Sequence, residues 1–234
     1  MIIWKYRISY VNIFRLVSVK VQFSKKYLNE WVNFMARRTF FSFHYKPDIW
    51  RVYNVRNSWV VKPKEQEAEG FFDASVFEAS AKENDDTLKA FLRDGLKNSS
   101  VTCVLVGAET AGRRWVRYEI VRSIVKKNGV LAVFIHGIEN SDGKTSSKGE
   151  NPLDQIGLYK TDKGIYFAEL VDGKWVKYID YAPAISEGEL WFDAPTSKIV
   201  VPLSKYCPSY DFTLEKGREN IGDWIESAAT LAGR

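Results

Sequence analysis

The sequence predicts an α/β fold, a central parallel sheet with helices on both faces, and three observations carry that prediction. Two continuously apolar runs, "VTCVLVG" (101–107) and "GVLAVFIHG" (129–137), have the length and β-branched content of strands buried on both faces. The segments before and between them place apolar residues at helical spacing. From Met35 onward, strand and helix alternate with helix-length connections, which parallel strands need and hairpins do not.

Taken in order, "RTFFSFH" (38–44) is a short aromatic strand, closed by the turn signal Tyr45-Lys46-Pro47-Asp48. "DIWRVYNVRNSWV" then sets Ile49, Val52, Tyr53 and Val55 near helical spacing. "GFFDAS" (70–75) is a second short strand candidate. In "DDTLKAFLRDGLKNS", Leu88, Phe91, Leu92 and Leu96 share one helix face, with Asp85 or Asp86 available as a cap. A helix over Arg113–Lys127 puts Val116, Ile120 and Ile124 on one side. After His136, "GIENSDGKTSSKGENP" is a polar loop. "GIYFAELVDGKWVKY" (164–178) contains two strand-like runs joined by Asp172-Gly173, a hairpin signal. The apolar run "SKIVVPLSKY" precedes a helix from about Asn220 to Leu231, so the second half reads as a C-terminal β-hairpin/helix embellishment on the sheet.

The net charge of +5 has one location. Residues 1–34 carry Lys5, Arg7, Arg15, Lys20, Lys25 and Lys26 against Glu30 alone, which accounts for all of it. The rest of the chain is neutral overall, so the basic balance is no argument for a nucleic-acid partner of the folded part. Charges interrupt the tail too often for a bilayer span or a signal peptide. It reads either as a basic membrane-surface helix or, preferably, as an extension upstream of a true start at Met35. The expected organisation is therefore 1–34 as a basic N-terminal extension and 35–234 as one domain. Cys103 and Cys207 make no metal spacing, and with only His44 and His136 a zinc site is close to excluded. No metal and no cofactor is expected. With no targeting or membrane signal, the expected location is cytoplasmic.

Open parallel sheets bind ligands beyond the carboxyl ends of their strands, which draws attention to His44–Asp48, Ser75–Glu78, Gly107–Trp115 and the stretch from His136 onward. Several chemistries fail there. G-x-G-x-x-G is absent, Arg113-Arg114 stand where a P-loop needs Lys-Ser/Thr, and G-x-S-x-G is absent. Phe43-His44-Tyr45 and Gly107 occupy the places where a receiver domain needs its acids.

The blocks "RRTFFSFHY", "GFFDAS", "SVTCVLVG" and "RRWVRYEI", with "SKGENPLDQIGLY" and the "GKW" hairpin behind them, resemble the TIR-like domain of bacterial Thoeris anti-phage proteins of the ThsB type. The resemblance covers Met35 to the end and rests on several ordered blocks. It implies a flavodoxin-like TIR fold and an NAD⁺ nucleosidase/ADP-ribosyl cyclase. In such a system NAD⁺ is the substrate, a cyclic ADP-ribose-type signal is the product, and a separate effector protein reads that signal. Trp115 and Glu119 match the family's W-x-x-x-E pattern, which implies Glu119 as the catalytic carboxylate and Trp115 as an aromatic wall for NAD⁺. Spacing of four puts the two on one helix face. Phe43, His44 and Tyr45, just after the first strand, are the other candidates for NAD⁺ contact. Each has a plainer alternative: Glu119 as a solvated acid paired with Arg122 or Ser123, and Trp115 and Phe43-His44-Tyr45 as packing. TIR-like folds also serve as non-catalytic adaptors that self-associate, which is the competing function.

Overall fold

The computed structural model describes residues 37–60 and 84–234. The expectations for 1–34, for "GFFDAS" and for Ser75–Glu78 lie outside the described residues. The first described strand, β1 (Thr39–Phe43), is followed directly by helix α1 (Tyr45–Val60). Tyr45-Lys46-Pro47-Asp48 is thus the first turn of the helix, where proline's missing N–H costs nothing. Helix α2 (Asp85–Leu96) is capped by Asn84, whose side chain accepts from the Thr87 N–H at 2.8 Å; Asp85 and Asp86 fill the first turn instead. Strand β2 (Val101–Val106), helix α3 (Arg114–Val125) and strand β3 (Gly129–Phe134) follow within three residues of their expected bounds.

Strands β1, β2, β3 and a further short strand, β8 (Ser209–Asp211), form a parallel sheet in the order β1-β2-β3-β8. Alternate residues of β2 serve two cores, as a doubly covered sheet requires. Val101, Cys103 and Leu105 pack with Val52 and Val55 of α1 and with Ile221 and Ile225 of the last helix, α4 (Gly217–Leu231). Val104 and Val106 pack on the other face with Val116, Ile120 and Ile124 of α3. Leu88 and Leu92 anchor α2 against Tyr118 of α3.

The second half is more than a hairpin. Strands β4 (Ile156–Thr161), β5 (Gly164–Val171), β6 (Lys174–Lys177) and β7 (Val201–Pro202) make an antiparallel sheet in the order β6-β5-β4-β7. The Asp172-Gly173 turn is present, with both residues at positive φ (49° and 74°) as a two-residue hairpin of the I′ kind demands. Leu158, Ile165 and Phe167 of this sheet share one core with α3 and the parallel sheet. Helix α4 covers the parallel sheet itself, and Gly129 makes room for it: a Cβ there would lie 2.2 Å from the Ala228 carbonyl oxygen. The second sheet therefore builds one wall of the core, while α4 covers the opposite face.

Candidate active site

Glu119 lies in the second turn of α3, the helix that leaves the carboxyl end of β2. It is neither exposed nor paired with Arg122. Only 6% of the residue meets solvent, and its Oε2 accepts a hydrogen bond from the Ser42 hydroxyl on β1. Arg122 instead lies over the Tyr181 ring, 5.5 Å from its centre. Burial pushes the Glu119 carboxyl up to about 8, against the Ser42 hydroxyl, which favours the ionised form. The backbone of Glu119 is held as well. Ser123 Oγ donates to the Glu119 carbonyl at 2.6 Å and lies 2.7 Å from the Thr102 hydroxyl of β2. Side chain and main chain of one carboxylate are thus tied to two neighbouring strands.

Trp115 packs beside the cluster of Leu88, Leu92 and Tyr118, edge-on to Tyr118 at 6.0 Å. Arg114 lies over its indole at 4.6 Å. The same guanidinium binds Asp180 through two contacts of 2.8 and 2.7 Å and reaches Asp85 at 2.7 Å. Lys89 joins Asp180 at 2.8 Å, and these cations hold its carboxyl near 2. Arg114 is therefore committed to a carboxylate network that fixes the start of α3 and is not open to a pyrophosphate. Arg113 pairs with Glu109.

Beyond the end of β1, His44 is about four-fifths buried, with Nδ1 3.8 Å from a Glu109 carboxylate oxygen and no hydrogen bond of its own. Burial and the Arg113 charge lower its affinity for a proton; Glu109 opposes them. Tyr45 stands 6.3 Å from Phe43, ring to ring. Phe43 itself packs on the face covered by α1 and α4, opposite the face on which Ser42 meets Glu119. The strand pleat enforces this separation of neighbours. Phe43 thus belongs beneath Tyr45 rather than beside the carboxylate.

Two residues that the sequence leaves among solvated or turn positions are buried here. Asp48 presses against the bare Cα of Gly107, where a Cβ would sit 2.1 Å from its carboxylate. Burial raises its carboxyl to about 6, although Arg51 and the Thr110 hydroxyl pull the other way. Arg51, only 4% exposed, donates to the carbonyls of Ile138, Pro47 and Lys144 at 2.8, 3.1 and 3.1 Å, pinning the polar loop after β3 to α1. That loop folds back over the strand ends, with the Ser146 N–H donating to the His136 carbonyl at 3.0 Å. His136 itself, two residues past β3, is not a satisfied histidine. Its Nδ1 is buried without a partner and its Nε2 is 3.8 Å from Asp211. No cluster of potential metal ligands occurs among the described residues.

Comparison with known proteins agrees with this architecture. The family model for the TIR-like domain of the Thoeris protein ThsB matches residues 40–140, from β1 to the loop after β3. A curated protein of Bacillus cereus (strain MSX-D12), named "Putative cyclic ADP-D-ribose synthase ThsB1", is 41% identical over 194 residues, covering 82% of this chain and all of that protein. The chain belongs to the Thoeris ThsB family of TIR-like proteins. At 194 residues, this match is longer than the 40–140 segment that the family model covers.

Proposed function

We propose that this ThsB-family protein converts NAD⁺ into a cyclic ADP-ribose-type signal, with Glu119 as the catalytic carboxylate. The observation that carries the proposal is the burial of Glu119 at the strand-end helix, held by the Ser42 hydroxyl, in a chain 41% identical to a protein named as a putative cyclic ADP-D-ribose synthase.

The chemistry asks for little else. The bond from nicotinamide to C1′ of the ribose breaks, its electron pair leaves with neutral nicotinamide, and positive charge grows on the sugar. A carboxylate beside that sugar stabilises the charge more in the transition state than in the ground state. NAD⁺ also brings its own positive charge on the nicotinamide ring. A carboxyl poised near 8 is driven to ionise by that cation as it binds, so the full negative charge develops when the substrate is in place. If water captures C1′, ADP-ribose and a proton result. If a nucleophilic atom of the same molecule captures it, the product is cyclic, and exclusion of water favours this outcome. His44, Tyr45 and Trp115 are the proposed contacts for the rest of NAD⁺, with stacking on the aromatic rings. A separate effector protein reads the product.

The test is mass spectrometry of nucleotides from phage-infected cells that carry the wild-type or the Glu119→Gln protein. The expected result is free nicotinamide and a cyclic ADP-ribose isomer in the wild type alone. Equal product from a folded Glu119→Gln protein removes Glu119 from the chemistry. Absence of any product, with protection from phage intact, leaves the adaptor function in its place.

A further inference from the structure

We infer that Ser42 is the positioning residue of the Glu119 carboxylate, fixing one of its oxygens so that the other is left to the ribose of NAD⁺; this rests on the function proposed above. Ser42 is one of two hydroxyl residues in the aromatic strand "TFFSF"; Thr39 turns its hydroxyl to the Arg37 carbonyl, whereas Ser42 is 1% exposed and lies 77 positions from Glu119 in the chain. A buried hydroxyl in such a strand needs a partner. Here the partner is the carboxylate, and Ser42 donates to Oε2.

The geometry divides the labour at Glu119. Oε2 is held by β1, and the main-chain carbonyl is held through Ser123 and Thr102 of β2. With two tethers on different strands, the remaining freedom of the carboxyl is small. Fixing a catalytic group before the substrate arrives removes ordering that would otherwise accompany the reaction. Among the described residues no hydrogen bond reaches Oε1, which is the oxygen available to a sugar hydroxyl.

Ser42 also sets the charge state. The ionisable groups around α3 are directed elsewhere. Just before α3, Arg113 pairs with Glu109; on α3 itself, Arg114 pairs with Asp180 and Asp85, Arg117 lies 3.6 Å from Glu169 of β5, and Arg122 covers Tyr181. From α2, Lys89 reaches Asp180 and Arg93 donates to the Tyr118 hydroxyl at 3.3 Å. At the end of β1, His44 faces Glu109. Burial and the Ser42 hydroxyl are therefore the two influences on this carboxyl, and they oppose each other. Among the described residues this one hydroxyl is the partner that favours the ionised form, so its loss raises the pH at which the carboxyl ionises.

The experiment uses the whole chain with Ser42→Ala and Ser42→Thr, beside Glu119→Gln. The Glu119 carboxyl is titrated directly by ¹³C NMR, its resonance identified by its disappearance in Glu119→Gln. The expected result is an upward displacement of its titration in Ser42→Ala and recovery in Ser42→Thr, which keeps the hydroxyl. NAD⁺ turnover in Ser42→Ala falls about tenfold or more at neutral pH, chiefly in kcat, and is regained partly as pH rises. A Ser42→Ala protein that is folded by its NMR spectrum, yet titrates and turns over as wild type, overturns the inference. If instead the titration moves while Glu119→Gln retains full turnover, the positioning stands and the catalytic proposal falls. Should Ser42→Ala not fold, Ser42→Cys carries the same measurement, and unchanged titration in it is equally fatal.

Discussion

Replacing Glu119 with Gln removes a buried ionisable group while keeping its size and hydrogen-bonding capacity, and the structure sets the size of the consequence. The ordinary carboxyl value is 4.5 and the folded value is about 8. Between these limits the folded protein binds a proton that the unfolded chain does not, so stability falls as pH rises through the window. Three to four pH units at ~1.4 kcal/mol each give a loss on the order of 4–5 kcal/mol, complete above the folded value. This is an upper limit, because local rearrangement softens it. Glu119→Gln has no such proton to lose. Urea unfolding at intervals from pH 4.5 to 9 should therefore show the wild type losing stability relative to the variant, with the two curves parallel only beyond about pH 8. For a domain of this size, 1 kcal/mol corresponds to ~2–4 °C in Tm, so thermal melts will also resolve it. Wild-type and variant curves that run parallel across the whole window would refute the placement of Glu119 as a buried, proton-binding carboxyl. Turnover gives an independent check, since kcat/KM reports the free enzyme. It should rise with pH to a half-maximum near 8.

Other outcomes follow from the rest of the site. Arg51→Ala should cost about 3 kcal/mol or more, because it strips a buried cation from three carbonyls and takes the neighbouring cation from Asp48; urea unfolding measures it, and a loss below about 1 kcal/mol would contradict the clamp. Gly107→Ala should yield a protein that unfolds at much lower temperature or is insoluble, since its Cβ enters the Asp48 carboxylate; the double variant with Asp48→Ser should recover part of the loss. Asp180→Asn should lower stability at neutral pH, and the deficit should shrink below pH 4 and vanish near pH 2. The sign follows from a folded value held near 2, which favours the ionised form. Chemical denaturation at pH 7 and pH 2.5 distinguishes this from a deficit that does not depend on pH.

Much of the frame is legible in the chain because its causes are local. "VTCVLV" and "GVLAVF" can only be strands with both faces covered, and the 3.6-residue spacing of Val116, Ile120 and Ile124 commits 114–125 to a helix. Asp172-Gly173 dictates its turn for an equally local reason, the ease of positive φ. The helix position of Glu119 four residues after Trp115 is likewise a matter of spacing.

What the chain does not display is which residues meet across it. Ser209–Asp211 is too short to read as a strand, and becomes one because the open edge of β3 supplies its hydrogen bonds. The same holds for β7, two residues paired to β4. Arg51 looks like one more solvated helical arginine until the loop at 138–144 folds onto it. Glu119 has the composition of a surface acid, and only the approach of β1, bringing Ser42 from 77 residues away, buries it and moves its proton affinity into the working range. Backbone preferences act over a few residues and can be read in order. Burial, desolvation and hydrogen-bond partnership act through space, and the chemistry of this site is of the second kind.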